Sequence, residues 1–244
     1  MRPTWRKIVA DLWENKLRSL LVVASIAVGV FAIGVIAGAY VIIPQDLNIA
    51  YAAANPVNVS LTTDAFPTEL VAGVRRLEGV AQAEARRSVA VRVRRPKATS
   101  GWDTLTLVAI PDWPQSRINR LTPMQGEPLA QDRQVVLEHK SLAQLGLAVG
   151  DSLEIELPNG ARRALPIVGA AQDYTDPYGA VLGDLKGFVT YGSLEWLHQP
   201  PTLNQLYLVA EQPNDREAIQ SVAERARAHL QRDGRAVRRT LVAP

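Results

Sequence analysis

Two acids and two phenols crowd into six residues at Asp173-Tyr174-Thr175-Asp176-Pro177-Tyr178, the densest group of chemically capable side chains in the chain. A metal site or an acid–base pair would need a third acid or a histidine beside them. None accompanies them, so the spacing reads as a turn-rich loop between strands. His139, His198 and His229 are scattered and there is no cysteine. This excludes disulfides, Cys-ligated zinc, iron–sulfur clusters and thiol nucleophiles, and a histidine-rich metal site is not expected. The chain holds no G-x-S-x-G elbow, no H-E-x-x-H pair and no G-x-x-x-x-G-K-[ST] phosphate loop. No catalytic, cofactor-binding or metal-binding residue is therefore assigned, and an enzyme is not expected. Arg92 and Arg94 alternate with Val89, Val91 and Val93. As an anion site they compete with a solvated strand face, and the clean alternation favours the strand face.

With chemistry set aside, Ser19–Ile43 is the most informative stretch: 25 residues, SLLVVASIAVGVFAIGVIAGAYVII, without charge, Pro, Asn or Gln. At about 1.5 Å per residue such a helix spans roughly 37 Å, enough to cross a hydrocarbon core of about 30 Å. Fourteen of these residues are Leu, Val, Ile or Phe, which supply on the order of −6 kcal/mol of insertion free energy. A cleaved signal peptide is the competing reading, with Ala52-Ala53-Ala54 as an A-x-A-like site. Its apolar core, however, runs only about 7 to 15 residues. Arg2, Arg6, Lys7, Lys16 and Arg18 precede the span and the next basic residue is Arg75. The positive-inside rule sets the N-terminus in the cytoplasm and residues 44–244 on the far side, periplasmic or extracellular, of a bacterial plasma (inner) membrane crossed once.

Residues 1–18 carry Trp5, Ile8, Val9, Leu12, Trp13 and Leu17 at helical spacing. They read as an amphipathic helix on the cytoplasmic leaflet, or alternatively as a rod continuous with the span. Trp5, Trp13, Lys16 and Arg18 are the expected membrane-interface anchors, with lipid as their partner. Within the span, Ser25-x-x-x-Gly29 and Gly34-x-x-x-Gly38 are small-x-x-x-small pairs and form the expected helix-packing seam. Such a seam needs other membrane helices.

The outer residues read as α+β. A strand over 55–63, a helix over 67–77 and strands over 85–95 and 105–110 come first. A β-rich insertion occupies about 126–200, with a short helix at 141–145 and an Asn159-Gly160 hairpin between alternating strands. Strand 203–210, a helix opened by Asn214-Asp215-Arg216-Glu217 in capping-box fashion, and strand 236–242 close the chain. The helix directs Ile219, Val222, Ala223, Ala226 and Leu230 inward. The β-α-β units predict helices packed on a mixed sheet, an α/β domain with an inserted β-rich subdomain.

The segment Asp11-Leu12-Trp13-Glu14-Asn15-Lys16-Leu17-Arg18-Ser19-Leu20-Leu21, followed by Ser25-Ile26-Ala27-Val28-Gly29-Val30-Phe31, resembles the start of a MacB-type, FtsX-like ABC transporter permease. Gly126-Glu127-Pro128-Leu129, Gly146-Leu147, Val149-Gly150-Asp151 and Leu157-Pro158-Asn159-Gly160 are similar to the extracytoplasmic core domain of those permeases. The resemblance implies an interfacial helix, a first span and a large outer domain. It also implies pairing as a homodimer or with other permease helices, and a separate cytoplasmic ATPase subunit that would bind ATP. Export or mechanotransmission is the implied role; a single-pass periplasmic binding or adaptor protein is the alternative. Family members have three further spans after the outer domain, so the sequence reads as a truncated or split half or as a stand-alone anchor. The formal net charge of +3 lies wholly in residues 1–43, which carry five basic and two acidic residues. The excess reports topology, and no nucleic-acid partner is expected.

Overall fold

The structure, a computed structural model, describes residues 16–94, 101–157, 159–176, 184–200 and 202–243. The chain divides into a unit ending at Ile49 and a second running from Ala50 to the C-terminus. Helix α1, Lys16–Ala53, has 38 residues and a length of about 57 Å at 1.5 Å per residue. The span was expected to end at Ile43, yet the helix continues through Pro44. Proline removes one N–H, and the bonds of the flanking turns carry the helix past it. The stretch long and apolar enough to cross a membrane is Lys16–Ala37, none of it buried. The amphipathic helix read over residues 1–18 lies, apart from its last three positions, outside the described residues.

The second unit contains β1 (Val59–Phe66), α2 (Glu69–Val74), β2 (Val80–Arg94), β3 (Asp103–Ala109), β4 (Thr122–Gly126), β5 (Val135–Glu138) and α3 (His139–Leu145). After these come β6 (Ser152–Glu156), β7 (Arg162–Gln172), β8 (Leu185–Val189), α4 (Tyr191–Trp196), β9 (Leu203–Ala210), α5 (Arg216–Arg232) and β10 (Val237–Val242). The strands follow the order β10-β1-β9-β2-β3-β8-β5-β7-β4, with β6 joining β2 to β7. Pairs β3/β8 and β5/β7 are parallel and the other pairs antiparallel, so the sheet is mixed.

One core lies where α2 and α5 cover β10, β1, β9 and the first half of β2. Helix α5 buries Ile219, Val222, Ala223, Ala226 and Leu230, the five positions its 3.6-residue period predicts. They meet Val59, Leu61, Leu206 and Leu208, and burial of each aliphatic side chain stabilises by roughly 1.5–3 kcal/mol. The N-cap is Asp215, whose carboxylate accepts from the Glu217 and Ala218 amides. The expected box would have needed Asn214 as cap; with Asp215 there, the third helical position is Ala218, which cannot reach back. Gly234 ends the helix at φ 73°, and the Arg235 amide donates to the Leu230 carbonyl.

The second core is a closed barrel. Pairings run β2-β3-β8-β5-β7-β6 and back to β2, so six strands form a ring without a free edge. Val93, Leu107, Leu137, Ile155, Leu165 and Ile167 fill it, each at most 1% exposed. β2 belongs to both cores: residues 80–86 pair with β9 and residues 87–93 with β3. The β-rich part therefore begins inside β2 at Arg87 rather than near Gly126. Strands β4 and β5 were absent from the sequence reading. β4, TPMQG, is exposed throughout and β5, VVLE, is buried throughout, so neither shows the alternation that marks a strand. The Asn-Gly hairpin forms with a wider turn than two residues: the Leu157 amide donates to the Ala161 carbonyl, and that of Gly160 to Leu157.

Candidate functional site

Lys16 and Arg18 stand exposed at the start of α1; Trp5 and Trp13 lie outside the described residues. Gly29 and Gly34 have nothing within 4 Å of an added Cβ, so both present open backbone. The four seam residues do not share one face. At about 100° per residue, Ser25 and Gly29 cluster on one side and Gly34 and Gly38 on the opposite side. The small-residue pattern is thus two short pairs facing different directions.

A polar collar holds the chain as it enters the α/β unit. The Arg120 amide donates to the Ala54 carbonyl and the Asn119 amide to that of Asn55, while the Arg120 guanidinium reaches the Ala53 carbonyl at 2.6 Å. The Asn55 side chain donates to Gln82 and to the Arg117 carbonyl, and Asn119 Oδ1 accepts from the Val57 amide. The loop over 116–119 is itself locked to β2. Glu84 accepts from Ser116 and from the Arg117 and Ile118 amides. Arg86, 4% exposed, donates to Ser116 Oγ and to the Ile118 and Asn119 carbonyls and stacks 5.2 Å from the Tyr207 ring. A buried charge is tolerated because these acceptors replace its water.

Asn58 joins the two ends of the domain. Only 6% exposed, it accepts from the Ala210 amide through Oδ1 at 3.0 Å. Its Nδ2 donates to the Pro213 carbonyl at 3.2 Å and the Ala243 carbonyl at 3.4 Å. Its backbone carbonyl accepts from the Ala243 amide. The segment entering the domain and the last described residues thus lie side by side, at the β1–β10 edge. Sequence reading missed this asparagine. Its one available signal was a polar residue at the head of an apolar strand.

The loop at 173–178 is answered by a residue the sequence did not offer. Lys186 on β8 bonds Asp173 at 3.1 Å and Asp176 at 2.5 Å. Burial would lower the Lys186 pKa, but the two carboxylates outweigh it and hold it above the ordinary lysine value. The acid pair therefore ties the loop to the barrel; Tyr178 lies outside the described residues. Arg92 pairs with Glu156 at 2.6 Å, which satisfies it on the strand face. Burial raises the Tyr191 phenol, with Arg87 opposing. Among the described residues no group of three His, Cys, Asp or Glu could hold a metal ion.

An apolar helix leading into an α/β domain with an inserted closed barrel defines a membrane-anchored protein with one large domain outside the bilayer. Residues 19–226 match the model of the MacB-like periplasmic core domain, and the chain belongs to that family, the outer domain of MacB-like ABC transporter permeases. It is similar to the extracellular domain of the noncanonic ABC-type transporter YknZ from Gram-positive bacteria, with 13% identity, a TM-score of 0.48, and 77% of this chain and 99% of that one covered. It is likewise similar to the periplasmic region of MacB from Actinobacillus actinomycetemcomitans, with 10% identity, a TM-score of 0.47, and 76% and 88% covered. A search of curated proteins finds no match.

Proposed function

We propose that this chain is a permease subunit, or the N-terminal part of one, that works with a separate cytoplasmic ATPase and carries motion to its outer domain for export or mechanotransmission. Its N-terminus faces the cytoplasm of the bacterial plasma (inner) membrane, on the strength of the five basic residues before the span. The observation that carries the reading is the junction at Asn58, where arriving and departing segments are bonded to each other and to β9. A displacement of either segment acts on the same edge of the sheet. The collar around 53–57 adds stiffness at that point, because several of its acceptors, the carbonyls of Ala53, Ala54, Asn55 and Arg117, are main-chain groups that cannot swing away. The small-residue seams on α1 face other permease helices, from a second copy or from a partner.

Purification of the full chain from its native membrane in mild detergent, followed by mass spectrometry, tests the reading. Co-purification of an ATPase carrying a phosphate loop is expected. Recovery of only outer-face proteins would refute it in favour of an adaptor. Gly34→Leu is expected to weaken assembly in a membrane oligomerisation assay; unchanged assembly would remove Gly34 from any seam.

A further inference from the structure

The barrel carries two arginine–tryptophan–arginine stacks, and they differ in one respect. On one face of the β6–β7 hairpin, Arg92 and Arg162 lie 5.2 and 5.4 Å from the centre of the Trp102 ring. Each has its own carboxylate: Arg92 meets Glu156 at 2.6 Å and Arg162 meets Glu154 at 3.3 Å. That cluster is electrically complete. The neighbouring residue, Arg163, points to the other face of the strand and lies 4.5 Å from the Trp196 ring centre, with Arg133 at 5.7 Å from the same ring. Among the described residues, no carboxylate lies within 4.0 Å of Arg133 or Arg163. The nearest acid in sequence, Asp132, accepts from the Thr190 hydroxyl instead.

The second cluster is nevertheless held in place. Trp196 packs against the barrel core. Arg163 is half-buried and donates to His198 Nε2 at 3.0 Å. A guanidinium can only donate, so Nε2 is the acceptor in this contact. Arg133 and His198 both adopt left-handed backbone, with φ of 63° and 55°, a conformation that costs a non-glycine residue energy. The Arg133 amide donates to Ser193 Oγ at 2.8 Å, which fixes that turn. Two cations drawn to one indole repel each other unless an anion lies between or beside them. Arg163 is held against such repulsion by its bond to His198, while the exposed Arg133 is held at its backbone turn and its guanidinium lies over the indole.

We infer that Arg133, Arg163, His198 and Trp196 form a binding site for a phosphate-class oxyanion, a phosphomonoester or phosphodiester group. Two guanidiniums bring two positive charges and forked donors that match tetrahedral phosphate oxygens. The phosphate belongs either to a soluble compound or to a phospholipid headgroup. The inference stands on the cluster alone and is independent of ATPase coupling.

The test uses the full chain in phosphatidylcholine nanodiscs at low salt, titrated calorimetrically with inorganic pyrophosphate and separately with dihexanoyl phosphatidylglycerol. Saturable binding of at least one probe is expected, weakened about tenfold for each guanidinium removed in Arg133→Gln and Arg163→Gln. The control is Arg92→Gln with Arg162→Gln, which should leave binding within about twofold. Pyrophosphate binding alone assigns a soluble phosphate, and phosphatidylglycerol binding alone assigns a headgroup. No saturable binding of either probe overturns the inference, as does equal weakening in the control pair. Near-ultraviolet circular dichroism of each variant separates lost binding from lost folding.

Discussion

Replacing Asn58 tests whether the two ends of the domain are joined as the bonding requires. In Asn58→Ala the Ala210 amide, deep at the end of β9, loses its acceptor, and the Pro213 and Ala243 carbonyls lose their donor. A buried donor left unsatisfied costs about 1–3 kcal/mol. The two carbonyl contacts are longer, 3.2 and 3.4 Å, and add about 0.5 kcal/mol each at the weak end of the range. The expected destabilisation is thus about 2–4 kcal/mol. Asn58→Asp keeps the Ala210 bond but turns a carboxylate oxygen toward two carbonyls, so it is expected to cost at least as much as alanine. The assay is thermal unfolding of the full chain in detergent, followed by near-ultraviolet circular dichroism, with proteolysis of the C-terminal strand as a local readout. Strand β10 should be cleaved earlier in both variants. A loss below about 0.5 kcal/mol with unchanged cleavage would refute the idea that this side chain fastens the junction.

Other perturbations follow from single contacts. Tyr191 Oη is buried with no hydrogen-bond partner among the described residues, so Tyr191→Phe should be neutral or stabilising by up to about 1 kcal/mol in the same unfolding assay. Gly126 has φ 70°, and a Cβ there would strike the Val168 carbonyl oxygen; Gly126→Ala should cost about 3 kcal/mol or more and free β4 from β7 in hydrogen exchange. Lys186→Met strands Asp173 and Asp176 and should cost about 2–4 kcal/mol at neutral pH. Lys186 and Tyr207 both hold their protons more tightly folded than unfolded. Their contribution to stability should therefore be constant from neutral pH to about pH 10 and fall above it, by at most about 1.4 kcal/mol per pH unit per group, and Lys186→Met should flatten that fall.

Local signals reached the sequence reading and long-range ones did not. Helix α5 was legible to its five buried positions because a single amphipathic stripe determines them. Strand β9 was legible to its ends, since Leu203–Ala210 is apolar and bounded by turn residues. The barrel was illegible because its closure depends on β6 bridging β2 and β7 across tens of residues, and no residue announces that pairing. The same holds for Lys186, which is unremarkable in sequence and becomes a double ion-pair donor only once β8 lies beside the 173–176 loop. The two small-residue pairs were legible as a spacing, yet the spacing hid their direction. The step of five from Gly29 to Gly34 turns the second pair to the far side of the helix.

The use of β2 by both cores bears on how the outer domain can move. At about 3.3 Å per residue, its 15 residues run roughly 50 Å. The collar grips it at Gln82, Glu84 and Arg86, and from Arg87 to Val93 it forms the wall of the barrel. A register slip would transfer Val91 and Val93 from the barrel interior to its outside, together with Ala83 and Ala85 from under the helices. Both cores oppose that slip at once. β2 therefore ties the α/β layer to the barrel through both cores. Buried asparagine and arginine serve this purpose better than apolar side chains would, because each fixes direction through several bonds, whereas apolar packing tolerates sliding.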